Sequence, residues 1–89
     1  MYLHLGADKV VRSKDIIGIF DMDTSTVSKR TRDFLTLSEK NGEAITVSFE
    51  LPKSFVVVSN KKKKEKRVYI SQISSSTLYK RNLLKNIYL

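Results

Sequence analysis

Residues 55–58, Phe-Val-Val-Val, constrain the fold of this chain more than any other segment. Four consecutive apolar residues, three of them β-branched, predict a strand without a polar face. Such a strand lies either at the centre of a covered sheet or at a contact between subunits. A chain of 89 residues supports one domain, spanning residues 1–89, and its own core is small. We therefore expect self-association to bury part of this apolar surface.

Three earlier segments also have the pattern of strands. Residues 1–5 and 44–50 alternate between apolar and polar side chains, which is the period of a strand with one solvated face. Residues 16–20 form a nearly continuous apolar run instead. We expect both faces of that strand to be covered.

Two segments predict helices. The first begins near residue 24, behind cap candidates at residues 23–25, and ends at Asn41 and Gly42, which tolerate the left-handed conformation after a helix. One stripe of residues recurs at helical spacing and consists of Val27, Thr31, Phe34, Leu35 and Ser38. The second helix follows caps at residues 74–77 and has an apolar edge at Leu83, Leu84 and Ile87. The predicted fold is a small α+β domain with about five short strands and two helices.

The last two strands predict a hairpin with a long basic tip. Residues 68–73 are strand-like, and residues 59–67 separate them from the valine run. A flexible tip of this kind would place several ammonium groups against phosphates and gain affinity by counterion release. The alternative is that its lysines only keep a loop solvated and blunt a sheet edge.

The charge of the chain indicates a polyanionic partner. Seventeen lysines and arginines against nine acids give a formal charge of +8. Such a potential attracts nucleic acid first and an anionic membrane second, although a basic protein without such a partner is an alternative. No apolar run approaches the roughly 20 residues of a membrane helix. Because the opening residues lack the order of a signal peptide, we expect a cytoplasmic location.

The sequence offers no recognisable catalytic or metal-binding set. It has one histidine, no cysteine and three glycines, so thiolate metal sites and a phosphate-cradling glycine loop are excluded. Its serines lie in no Gly-x-Ser-x-Gly turn, and its carboxylates form no recognisable pair. We expect no enzymatic activity, no metal and no cofactor.

The cations that could contact phosphate fall into two groups. The first lies in turns and at the hairpin tip and consists of Arg12, Lys14, Lys53, Lys61, Lys62, Lys63, Lys64, Lys66 and Arg67. The second, Lys29, Arg30 and Arg32, projects from the first predicted helix, whose other side faces the sheet. Arginine binds phosphate or guanine bidentately. An ordinary solvated helix face is the alternative for this second group.

Several segments resemble one family, in the same order along the chain up to about residue 85. They are the opening residues 1–6, then 10–11 and 14–21, then Pro52-Lys53-Ser54, and finally 74–78 with Lys80 and Arg81. This pattern resembles the RemA/RemB family of extracellular-matrix regulators, and within it the RemB type. The resemblance implies a LytTR-like fold in closed rings of seven or eight protomers. It also implies duplex DNA along a basic outer surface, control of biofilm-matrix genes, a nucleoid location and no cofactor.

The sequence departs from this family at its DNA-binding positions. The resemblance implies a pair of arginines just before residues 55–58, where this chain has Leu51 and Pro52. A further arginine of the family falls near Asp15, beside Lys14. We expect Lys53 and the loop at residues 61–67 to take over phosphate binding.

Two alternatives to a DNA-binding regulator stay open. The chain could be a scaffold that assembles with itself or with a related RemA-type regulator, its charge serving solubility. Binding of single-stranded RNA would require stacking on its tyrosines, Tyr2, Tyr69, Tyr79 and Tyr88, whose spacing resembles no recognised RNA platform.

Overall fold

A computed structural model describes residues 2–25 and 28–87, with backbone only at Ser25 and at 83–87. The strands are β1 (Tyr2–Gly6), β2 (Lys9–Arg12), β3 (Ile16–Asp21), β4 (Ala44–Thr46), β5 (Ser54–Asn60) and β6 (Glu65–Ser71). The α-helices are α1 (Met22–Ser25), α2 (Lys29–Lys40) and α3 (Ser75–Ile87), and a 3₁₀ turn (Ser13–Asp15) joins β2 to β3. The predicted α+β class is confirmed, with six strands and three helices in the described residues where about five and two were expected.

The strands form two sheets. Strands β1 and β2 pair as an antiparallel hairpin, and the other four form a sheet of order β3-β5-β6-β4. Strand β5 is antiparallel to both neighbours, whereas β4 runs parallel to β6. The hairpin β1–β2 and helix α3 pack on one face of the four-stranded sheet, and α2 packs on the other. The chain therefore covers both faces of this sheet itself.

Strand β5 is the centre of this arrangement. Val56 and Val58 belong to the core shared with the hairpin β1–β2, while Phe55 and Val57 belong to the core shared with α2. All four side chains are buried. Of the two predicted roles for residues 55–58, the covered central strand is correct. Burying this strand requires no second subunit.

The prediction that residues 16–20 are covered on both faces is wrong. Strand β3 is an edge strand, and its pairing with β5 shifts register between Ile16 and Gly18. The side chain of Ile17 is 66% exposed at this irregularity. An apolar run alone does not distinguish an edge strand from a central one, because the sequence does not show which neighbour is missing.

Helix α2 begins later than predicted. The Asp21 carboxylate accepts hydrogen bonds from the backbone N–H of Thr24 (2.9 Å) and from its hydroxyl (3.0 Å), which stabilises the single turn of α1. The predicted caps at residues 23–25 therefore lie in or beside that turn, and α2 starts at Lys29. Val27 and the side chains of Leu83, Leu84 and Ile87 lie outside the described residues. The predicted end of α2 is confirmed, since Gly42 follows with φ +71°.

Two predicted boundaries are also wrong. The strand expected at residues 44–50 is only Ala44–Thr46, and the loop expected at 59–67 is a turn of four residues. Glu65, Lys66 and Arg67 instead pair in register with Asn60, Ser59 and Val58. Charged residues form strands readily at the exposed end of a hairpin, because their side chains reach water while the backbone pairs.

Ser71 joins the two sheets through a buried hydroxyl. Its Oγ donates to the Leu5 carbonyl at 2.6 Å and accepts from the backbone N–H of Ile73 at 3.0 Å. We expect Ser71→Ala to lower the free energy of unfolding by about 1–3 kcal/mol, because it leaves a buried carbonyl and an amide unpaired. Urea unfolding monitored by circular dichroism measures this. The exposed Thr36→Ala is the control and should stay within about 0.5 kcal/mol; an equally small effect for Ser71→Ala would contradict the assignment.

Candidate nucleic-acid interface

The turn between β5 and β6 presents four consecutive lysines, Lys61 to Lys64, all of them exposed. Its shape is fixed by the Asn60 side chain, whose Oδ1 accepts from the backbone N–H groups of Lys62 (3.1 Å) and Lys63 (3.2 Å). Lys64 adopts a left-handed conformation with φ +54°, which allows the chain to return into β6. The lysines are therefore displayed on a hydrogen-bonded turn rather than on the long loop predicted from the sequence.

Two arginines lie beside this turn, on the face covered by the hairpin β1–β2. Arg12 and Arg67 line one open cleft of about 200 Å³, together with Asn60 and Tyr69. The Arg12 Nε lies 2.9 Å from Asp15 Oδ2, and its second guanidinium contact to that carboxylate is 3.3 Å long. Arg67 lies 3.9 Å from the Glu65 carboxylate. The Asp15 contacts orient the Arg12 guanidinium at the mouth of the cleft.

The Arg12–Asp15 pair changes the acid–base behaviour of both groups. The hydrogen bond from Arg12 lowers the pKa of Asp15 below its ordinary value, and the same bond raises the pKa of Arg12. The neighbouring charge of Lys14 also lowers the pKa of Asp15. A carboxylate with a lowered pKa in the folded state stabilises that state above its ordinary pKa, and the stabilisation is lost as the pH falls through the lowered value.

We therefore expect Asp15→Asn to lower the unfolding midpoint at neutral pH. The difference from the parent should shrink as the pH falls below the ordinary aspartate pKa of about 4, because the parent then protonates the same carboxyl group. Thermal unfolding followed across this range measures it. Asp33→Asn, on the exposed side of α2, is the matched control and should change little at any pH. A difference for Asp15→Asn that is independent of pH would contradict this role of the ion pair.

Lys14 lies at the same end of the sheet as the lysine turn and the two arginines. It is exposed in the 3₁₀ turn before β3, and the pairing of Ile16 with Val58 places that turn at the same end of the sheet as the lysine turn. We call this set the basic rim: Arg12, Lys14, Lys61, Lys62, Lys63, Lys64 and Arg67.

The other predicted cations do not join the basic rim. Lys53 precedes β5 and hydrogen-bonds through its backbone to Ser71, at the opposite end of the sheet. Lys66 faces the other side of β6, where its Nζ lies 4.6 Å from the centroid of the Phe34 ring. Lys29, Arg30 and Arg32 are exposed on α2, which covers that same face. The predicted cations thus lie in three places: at the end of the sheet that has the lysine turn, at the opposite end of the sheet, and on the face that α2 covers.

Charge is distributed unequally between the two ends of the sheet. The basic rim has seven cations, and the carboxylates beside it are Asp15 and Glu65, so it carries five net positive charges of the formal +8 of the chain. Near the opposite end, the described acids Asp8, Asp21, Asp23 and Glu50 outnumber Lys9 and Lys53. Of the two ends of the sheet, the basic rim is therefore the one that attracts a polyanion.

Sequence reasoning missed the residues that position the basic rim. Asn60 fixes the turn, Asp15 orients Arg12, and Glu65 lies near Arg67. An asparagine directly before a polar run is a known turn signal and could have located the start of the turn. The pairing of Arg12 with Asp15 could not be read from the sequence, because it depends on the 3₁₀ turn between them.

Two features are absent from the described part of the chain. Among residues 2–25 and 28–87, no three histidine or acidic side chains come together as metal ligands would. In the same part of the chain, none of the helices has the length and apolar character needed to cross a bilayer.

Comparison with known proteins bears out the resemblance noted from the sequence. The family model described as RemA-like, extracellular matrix regulatory protein A-like, matches residues 2–81. Extracellular matrix regulatory protein B of Bacillus subtilis (strain 168) is 40% identical over 82 residues, which cover 91% of this chain and 89% of that protein. A family match of this extent shows membership. The chain belongs to the RemA-like family of extracellular matrix regulatory proteins.

Proposed function

We propose that this chain is a DNA-binding transcriptional regulator that contacts duplex DNA through the basic rim. The observation that carries the proposal is the collection of seven cations at one end of the sheet, five of them in excess over neighbouring carboxylates. Duplex DNA carries a dense row of phosphates, and each one neutralised by lysine or arginine releases counterions.

The composition of the basic rim favours contact with the backbone of DNA over contact with base edges. Four of the seven cations are lysines on a single turn, and lysine acts on phosphate as a point charge. Phosphate contacts position a protein on the duplex but carry no sequence information. The proposed regulator therefore tolerates many sequences. The cleft between Arg12 and Arg67 is where a phosphate or a guanine could be held bidentately.

A ring-like homo-oligomer would turn weak contacts into useful affinity. Linked copies bind one duplex at several points, so the second contact forms within the same complex. In this proposal a ring of seven or eight protomers displays its basic rims along one surface, as closed head-to-tail assembly allows. The names of the relatives point to genes of the extracellular matrix as targets, and such a regulator would work in the cytoplasm at the nucleoid.

A salt series tests this function. A labelled duplex of arbitrary sequence is titrated with protein, and binding is followed by fluorescence anisotropy between about 50 and 200 mM salt. With about five phosphates neutralised, log K should fall against log salt with a slope near −4.5. No binding at the lowest salt, or a slope near zero, would contradict the proposal.

A second candidate is an oligomeric scaffold that does not bind DNA, alone or with a related RemA-type regulator. The observation in its favour is apolar surface: Phe49 is fully exposed, and Leu51 is 79% exposed. Large exposed apolar side chains mark protein contacts more often than nucleic-acid contacts. A stable oligomer without affinity for duplex DNA in the same titration would favour this candidate.

A further inference from the structure

The connection from β4 to β5 exposes apolar side chains at one place. Val47 is fixed by a hydrogen bond to the Ile70 carbonyl, and Lys53 by one to the Ser71 carbonyl, both 2.9 Å long. Between them, Phe49 and Leu51 extend into solvent with Glu50 between the two. We call residues 48–52 the apolar loop. The Ser48 hydroxyl accepts from the Glu50 backbone N–H at 3.2 Å, so the loop has a defined turn at its tip.

An open apolar pocket lies between α2 and the β3 edge of the sheet. It has a volume of about 270 Å³ and is lined by Phe20, Arg30, Thr31, Phe34, Phe55 and Val57. The Phe20 and Phe55 rings are stacked with centroids 5.0 Å apart. A Cβ at Gly18 would come within 2.6 Å of the Phe20 ring, so glycine at this position leaves room for that wall of the pocket. We call this the phenylalanine pocket.

The apolar loop and the phenylalanine pocket are complementary in polarity and charge. A phenylalanine side chain is rigid and buries a large apolar area on entering such a pocket. Glu50 of the loop is exposed, and Arg30, also exposed, is the only charged residue in the pocket lining given above. Insertion of the loop would therefore bring a carboxylate to a guanidinium at the mouth of the pocket.

These two surfaces are not in contact within one chain. The pocket lies at the edge strand β3, whereas the loop begins after β4 at the other edge and ends at Lys53, whose carbonyl accepts from the Met22 backbone N–H. No residue of the loop lines the pocket. A second copy of the chain offers a pocket for the loop and a loop for the pocket. Because the two contacting surfaces differ, the same contact repeats from copy to copy until the assembly closes.

We propose that Phe49 and Leu51 of one copy dock into the phenylalanine pocket of the next copy, with Glu50 pairing to Arg30. This inference rests on the self-association in the proposed function and names its two surfaces. Neither the loop nor the pocket includes any residue of the basic rim.

The test compares molar masses by light scattering at matched protein concentrations. The parent should be an oligomer, and the double variant Phe49→Ser, Leu51→Ser should be a folded monomer, because both side chains are exposed in the single chain. The unfolding midpoint of the variant should not depend on protein concentration, whereas that of the parent should rise with it. Leu37→Ser, at an exposed apolar position on α2 outside the pocket, is the matched control and should assemble like the parent.

A charge exchange separates a direct contact from a general loss of stability. Arg30→Glu and Glu50→Arg should each weaken assembly at least tenfold in protein concentration, and the variant with both changes should recover the parental mass. Failure of the double change to recover assembly would overturn the pairing.

The outcomes distinguish this inference from the proposed function. A parental oligomer that persists in the Phe49→Ser, Leu51→Ser variant overturns the docking surfaces and leaves the ring and DNA binding standing. A monomeric parent overturns both the docking surfaces and the ring, whereas the salt series with duplex DNA decides the DNA contact separately.

Discussion

Replacing Lys61, Lys62, Lys63 and Lys64 together with glutamine is expected to remove most of the affinity for duplex DNA. Each phosphate contact contributes about 0.9 to the salt slope, so the loss of four contacts should lower the slope by about 3 to 4. Affinity near 50 mM salt should fall by roughly a hundredfold or more, and equally for unrelated DNA sequences. Anisotropy titrations of the parent and the variant on the same two duplexes measure both quantities.

A pair of two-lysine variants separates the basic rim from net charge. Lys62→Gln with Lys63→Gln and Lys9→Gln with Lys53→Gln remove the same charge, but the second pair lies near the acidic end of the sheet. We expect the first pair to reduce the salt slope by about 2 and the second to change it little. If both pairs weaken binding to the same extent, the attraction depends on total charge and the basic rim has no special role.

Leu5→Ala is expected to destabilise the fold more than any substitution considered above. Leu5 is completely buried in the core between the hairpin β1–β2 and the four-stranded sheet. Truncating such a leucine leaves a cavity and lowers the free energy of unfolding by about 3 kcal/mol, within a range of about 2–5 kcal/mol. A domain of this size has a total stability of only about 5–15 kcal/mol, so Leu5→Ala should shift the urea midpoint strongly.

The matched control is Leu37→Ala on α2. The Leu37 side chain is 57% exposed, so its truncation should change the free energy of unfolding by less than about 1 kcal/mol. A similarly small effect for Leu5→Ala would contradict the fold. It would mean that the hairpin β1–β2 does not pack on the four-stranded sheet as one layer of the core.

The parts of the fold that follow from local pattern could be predicted from the sequence. The valine run at residues 55–58 forms a strand, and Gly42 follows α2 in the left-handed conformation. The serine cluster caps α3, since the Ser74 hydroxyl accepts from the Thr77 backbone N–H at 3.3 Å. Each of these depends on neighbours within a few residues, which is the range over which sequence patterns are informative.

What could not be predicted depends on pairing between distant strands. Residues 16–20 are apolar enough for a central strand, yet β3 has a partner on one side only. The hairpin β1–β2 supplies Leu3 and Leu5 as a third layer, which no local pattern indicates. That layer covers β5. A second subunit, which we expected to bury part of residues 55–58, is therefore not needed to cover this strand.

The candidate interface could be predicted only in part, because it also depends on how distant strands pair. The lysine turn is a local charge run, and its position at the tip of a hairpin follows from the strands around it. The separation of Lys53 from this turn follows from the direction of β5, which places residues at its two ends at opposite ends of the sheet. Lys66 and Arg67 diverge because neighbouring residues of a strand face opposite sides of the sheet.

Lysine footprinting shows which lysines the DNA covers. The protein is acetylated with and without a saturating duplex at low salt, and the modified fraction of each lysine is measured by mass spectrometry. We expect strong protection of Lys14 and of the four lysines at residues 61–64, with Lys9 and Lys53 reacting as they do without DNA. Protection spread evenly over all lysines, or centred on Lys9 and Lys53, would contradict the assignment of the basic rim as the surface that contacts DNA.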